Sequence, residues 1–302
     1  MSASPTLPRP LAVLILATLA CAFAGNHIAA RIAFDHDTGL LLAILCRSGI
    51  TLLALAAVVF WQRESLRLKA GTWRWQLLMG VLIATQSFCI YSAVARIPVA
   101  LALLVGNTAP ILLALLNWAL GGRAPSRQAL LLMGMILLGL LFALDVPQRL
   151  GGGGDESHWL EGVLFALAGA AVFACALWIT EHRLAQVRGS VRSLLTLLVV
   201  FCVTALLGLS DLLPGGVSPP SAPTGWLALG CLVLLYGLAF SLLFICVSRL
   251  DIVRNAPVMN VEPIASLLLG WLILDQLLSG MQVLGGLIVV GGIVLLAYRK
   301  PA

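Results

Sequence analysis

Ten apolar runs, each about 18–25 residues long and separated by short polar breaks, limit what this chain can fold into. They cover residues 11–32, 39–61, 75–95, 99–120, 128–146, 159–181, 193–213, 226–248, 256–274 and 281–298. A helix rises about 1.5 Å per residue, so each run is long enough to cross the roughly 30 Å of bilayer hydrocarbon. The runs are continuous rather than alternating, which excludes the strands of a membrane barrel. The predicted fold class is therefore an all-α integral membrane protein with ten transmembrane helices.

Composition agrees. Charged residues make up 10% of the chain, where about 25% is usual for a soluble domain, so a water-facing surface could not be covered. The longest connections, Pro147–His158 with its Gly151–Gly154 run and Pro214–Thr224 with four prolines, leave no room for an extramembrane domain. Ala22-Phe23-Ala24 resembles a signal-peptide cleavage site, but its apolar run continues to Ile32 and nine more follow, so this segment reads as an uncleaved first span. The net charge of +6 points to no nucleic acid, because 16 of the 18 basic residues are arginine and they form no stripe. Seven cysteines (21, 46, 89, 175, 202, 231 and 246) all sit inside apolar runs and read as small apolar fillers.

The basic residues instead give an orientation. With the N-terminus inside, the inner loops and termini carry Arg9, Arg63, Arg67, Lys69, Arg74, Arg123, Arg127, Arg183, Arg188, Arg192, Arg249, Arg254, Arg299 and Lys300. The outer loops carry only Arg31, Arg96 and Arg149. That bias follows the positive-inside rule and puts both termini in the cytoplasm.

A shift of 153 residues superposes uncommon residues without a gap. Arg96 falls on Arg249, Asn107 on Asn260, Pro110-Ile111 on Pro263-Ile264, Trp118 on Trp271, Ser126 on Ser279 and Gly139 on Gly292. The chain thus divides into a first five-helix repeat, 1–148, and a second, 149–302. Five is odd, so the second copy enters the membrane from the opposite side. Inverted repeats of this kind are characteristic of secondary transporters, whose halves rock around a site near the midplane.

These residues resemble the EamA branch of the drug/metabolite transporter superfamily. The stretch Ala22-Phe-Ala-Gly-Asn-His-Ile-Ala-Ala-Arg31 is similar to that family's first-helix pattern. Asn260-Val-Glu-Pro263, followed by Trp271, Asp275 and Gly285, resembles its ninth-helix segment. One departure is Gly121-Gly122-Arg123, where the family often carries Glu after the fourth helix. The resemblance implies a multi-pass solute carrier of the bacterial inner membrane that exports amino acids, aromatic ones among them, or related small metabolites. A carrier for sugars, nucleosides or drugs in the same superfamily stays open, as does, more remotely, a channel.

Two charges stand inside spans, where translocon scales put each at about 2.5–3.5 kcal/mol. Arg47 is eight residues into the second span and Glu262 six into the ninth, so each lies roughly 9–12 Å below its own face. They are expected either to pair and lock the helices together or to face a central cavity and contact a zwitterionic substrate. Pro110 and Pro263 each remove an amide donor inside a span, with Asn107 and Asn260 three residues earlier. These read as bends lining the pathway, or as kinks shaped for packing. Asn26 and His27 in the first span are further candidates, His27 as a core residue or a proton relay. Tyr91, Trp178 and Tyr236 are candidates to line a cavity. The glycines of the fifth and tenth spans, Gly134 and Gly139, and Gly285, Gly286, Gly291 and Gly292, are expected to pack within a repeat or at a homodimer face.

Enzyme chemistry finds no support. Gly152-Gly153-Gly154-Asp155 matches an intramembrane aspartyl-protease signature, but it lies in a polar loop with no second Asp in mid-span to share a proton. There is no Walker A lysine motif and no His-Glu-x-x-His, so no cofactor and no metal are expected. The expected partners are a small-molecule substrate and the lipid bilayer.

Overall fold

A computed structural model describes residues 8–69, 71–122, 124–145, 156–210, 216–246, 258 and 261–297. Among these residues the chain forms eleven α-helices and no strand. They are α1 (Arg9–Phe34), α2 (Leu40–Trp61), α3 (Thr72–Arg96), α4 (Val99–Gly106), α5 (Ala109–Ala119) and α6 (Arg127–Ala143) in the first half of the chain. The second half contributes α7 (Glu156–His182), α8 (Gly189–Leu209), α9 (Pro223–Cys246), α10 (Val261–Leu274) and α11 (Gly280–Ala297). Seven stretches are long and apolar enough to cross a membrane, counting Val99–Ala119 as one. The three other apolar helices, Arg127–Ala143, Val261–Leu274 and Gly280–Leu295, are shorter. The Pro147–Asp155 loop and Asn260 lie outside the described residues.

Helix ends follow local chemistry. Pro10 stands at the start of α1, and Gly71 (φ 84°) precedes α3 in a left-handed conformation that glycine adopts without strain. Ser126 Oγ accepts from the Ala129 amide at 3.4 Å to cap α6. Its repeat partner Ser279 accepts from the Gln282 amide at 3.2 Å, and Gln282 Oε1 accepts from the Ser279 amide at 2.9 Å. That reciprocal pair is a capping box at the start of α11. The run expected as one helix over 99–120 is interrupted at Asn107-Thr108. Pro110 cannot donate across the break and takes the second position of α5, where no intrahelical donor is needed. Asn107 Nδ2 donates to the Leu103 carbonyl at 2.9 Å and Thr108 Oγ1 to that of Val105 at 2.7 Å, closing the end of α4 with side chains. Pro263 stands in the first turn of α10.

The most extensive helix packing crosses between the halves: α1 on α9 and α10, α2 on α8 and α9, α3 on α7 and α8, α4 and α5 on α7, α4 on α10, and α6 on α11. Exchanging the halves maps these pairings onto one another, a pseudo-twofold arrangement. Glycines set the α6–α11 spacing. A Cβ on Gly139 would lie 2.8 Å from Ile288 Cγ2 and 2.9 Å from the Gly285 carbonyl oxygen. This contact therefore joins the two halves, where packing within a repeat or at a homodimer face was expected. The core gathers at mid-bundle, around the fully buried Tyr91, Leu101 and Leu104. Leucines such as Leu53, Leu131 and Leu227 cover the outside, as lipid contact requires.

Candidate functional site

Arg47 faces inward from α2 and is 5% exposed. Its Nη1 donates to Tyr91 Oη at 3.0 Å and its Nη2 to Ser87 Oγ at 2.8 Å. Tyr91 and Ser87 are four residues apart on one face of α3, so a single helix face grips the guanidinium. Tyr91 Oη in turn donates to Asn26 Oδ1 on α1 at 3.2 Å. The guanidinium carbon lies 4.7 Å from the Tyr91 ring centroid and 4.2 Å from that of Tyr236 on α9. Two aromatic faces thus partly offset the loss of water around the cation. Among the described residues no carboxylate stands within ion-pairing distance of Arg47, and its Nε–H has no acceptor. A guanidinium carries five N–H donors, so three are left without a partner among the described residues, the buried Nε–H one of them.

Glu262 sits in the first turn of α10. Its Oε1 lies 3.8 Å from His27 Nε2 on α1, an ion pair whenever the imidazole carries a proton. His27 also meets the Tyr91 ring edge to face, with centroids 5.9 Å apart. Arg47 and Glu262 therefore have different partners and do not pair with each other.

Both charges line one cavity of about 370 Å³ between the halves, near the lower end of the roughly 300–1,000 Å³ typical of ligand sites. His27, Asn107 and Tyr236 line it as well. The apolar wall includes Phe23, Ile83, Leu103, Phe173, Leu197 and Phe240. Asn26 and Tyr91 stand behind the wall and reach the cavity through Arg47. Trp178 is elsewhere: near the end of α7 its ring stacks on His182, with centroids 4.7 Å apart. Pro110 is exposed beside the break that carries Asn107, and Pro263 is buried next to Glu262. Ser87, Gln86, Ser193 and Thr196 also line the cavity and were not singled out from sequence. Small polar residues are common inside helix bundles; only the four-residue step from Ser87 to Tyr91 could have drawn attention to one of them.

The model of the EamA-like transporter family matches the chain twice, over residues 10–144 and 160–298. The chain belongs to the EamA-like transporter family. This EamA-like protein is accordingly a multi-pass membrane transporter of small molecules and not an enzyme. Each copy of the match falls within one half of the helix bundle. A solved structure titled "Crystal structure of protein" shares the fold, with a TM-score of 0.62 at 24% identity over 96% of this chain and 97% of the other. Comparison with curated proteins finds no match.

Proposed function

We propose that the protein is a secondary transporter that exports amino acids, or related small zwitterionic metabolites, across the bacterial inner membrane by alternating access. The observation that carries this reading is the buried guanidinium of Arg47, which has no carboxylate partner among the described residues and shares a cavity with Glu262. A substrate carboxylate would take the free N–H groups of Arg47, and its ammonium would meet Glu262. Charge-assisted bonds of this kind are strong where water is excluded. The side chain of the substrate would lie along Phe23, Phe173, Tyr236 and Phe240.

Ten spans with both termini in the cytoplasm fit the distribution of basic residues and the seven long and three shorter apolar helices. Repeats spanning 1–148 and 149–302, inverted relative to each other, fit the exchange symmetry of the packing and the two family matches. Asn107 and Asn260 would line the pathway at related positions, each three residues before a proline, Pro110 or Pro263. Export, rather than uptake, follows the resemblance to exporters.

Counterflow of radiolabelled amino acids in proteoliposomes tests the proposal, using a panel of aromatic, branched and small side chains. Saturable exchange of at least one amino acid is expected, reduced about a hundredfold or more in Arg47→Ala. Exchange confined to sugars or nucleosides would reject the substrate class. Linear, non-saturating flux would reject the carrier.

A further inference from the structure

At the end of the bundle where α2 gives way to α3 and α7 to α8, a second cavity of about 210 Å³ lies between the two connecting loops. Arg67, Lys69 and Arg188 line it, together with the hydroxyl side chains of Ser65 and Thr72 and the amide of Gln186. No carboxylate does. Glu64, beside Ser65 in sequence, is already engaged: it accepts a hydrogen bond from Ser190 and lies 3.7 Å from Arg188 Nη1. Arg67 and Lys69 have no ion-pair partner among the described residues. Two helices also begin here, α3 after Gly71 and α8 after Arg188, and neither has a side-chain cap on its first amides. Three cations, of which Arg188 is paired with Glu64, and two hydroxyls line one concavity, whose remaining walls, Leu68, Val187 and Val191, are apolar.

We propose that this cavity binds the phosphate of an anionic membrane lipid. The phosphate would lie among Arg67, Lys69 and Arg188, with its glycerol and upper acyl chain along the apolar walls. The ligand-binding chemistry is phosphate recognition, which a free inorganic phosphate would share. The lipid is favoured because the site combines cations with apolar walls at the proposed cytoplasmic face, where basic pockets between membrane helices take anionic headgroups. Arg67 and Lys69 belong to the first half of the chain and Arg188 to the second, so the bound phosphate would bridge the halves.

The inference rests on the proposed topology for its source of lipid, and the experiment separates the two. The full chain is placed in nanodiscs of equimolar phosphatidylcholine and phosphatidylglycerol, which expose both faces, and the phosphatidylglycerol retained is measured by native mass spectrometry. Retention is expected to fall about fivefold for each of Arg67→Gln and Lys69→Gln, the equivalent of ~1 kcal/mol per basic side chain near a bilayer surface. Arg74→Gln and Arg183→Gln, cations at the same end that lie against Trp73 and Trp75 instead of lining the cavity, are expected to retain the lipid fully. Equal losses in all four variants, or none in the first two, overturn the proposal. Displacement of the lipid by millimolar inorganic phosphate, with saturable phosphate binding in detergent, would assign the site to the free anion and reject the lipid. Labelling of Gln62→Cys in oriented vesicles tests the topology independently.

Discussion

Arg47 carries a charge into a bilayer interior, where removing one partner of a buried charge usually costs 2–5 kcal/mol or more. Its two hydrogen bonds to Tyr91 and Ser87 set the direction of the guanidinium, so shape as well as charge should matter. Arg47→Lys keeps the charge but loses the planar fork, and counterflow is expected to drop about ten- to hundredfold with normal amounts of folded protein in the membrane. Wild-type exchange in that variant would reduce Arg47 to a packing residue. Tyr91→Phe removes only the Oη that links Arg47 to Asn26, and a loss of about tenfold in exchange is expected. Trp178→Ala is expected to leave exchange within about twofold, since its ring stacks on His182 away from the cavity. Arg47 and Glu262 were legible because a charge within an apolar run has few structural reasons to be there. Their separate partners were not legible: depth along two helices says nothing about how the helices are rotated. Trp178 shows the converse, because aromatics serve packing and lining equally well and sequence does not distinguish them.

At the level of the helices, the interruption at Asn107-Thr108 was foreshadowed by Pro110, whose missing amide is a covalent fact independent of tertiary structure. Restoring the donor with Pro110→Ala would favour joining α4 to α5, and turnover in counterflow is expected to slow severalfold with thermal stability unchanged. Undiminished turnover would make the break a matter of packing alone. The α6–α11 seam makes a different demand. Gly139→Leu would drive a side chain into Ile288 and the Gly285 backbone, overpacking that typically costs 1–3 kcal/mol. A lowered unfolding temperature in detergent is the expected result. Glycine spacing announced that some helix would come close. Which helix it would be depended on long-range packing that local periodicity does not encode.

Across the whole molecule, the most extensive contacts of each half are made with the other half. Neither half has the neighbours it would need to bury its inward faces alone. Residues 1–148 and 149–302 expressed separately are expected to be degraded or to aggregate, and their co-expression to restore counterflow to within a few-fold of the intact chain. Independent folding of either half, read by monodispersity in detergent, would contradict the intertwined packing. The all-α membrane fold and the repeat were readable because hydrophobic length and shared Asn, Pro and Trp survive in one dimension. The interleaving was not readable, since a sequence repeat is equally compatible with two bundles lying side by side.

The hydrogen bonds from Arg47 to Tyr91 and on to Asn26 tie α1, α2 and α3 together, all from the first half, whereas Glu262 belongs to α10 in the second. Under the proposed function, the two charges of a bound zwitterion would thus be held by residues from different halves of the chain. Such a solute would act as a strap between the two halves. A monoamine or a simple carboxylic acid, carrying only one of the two charges, cannot form that strap, whatever the size of its side chain.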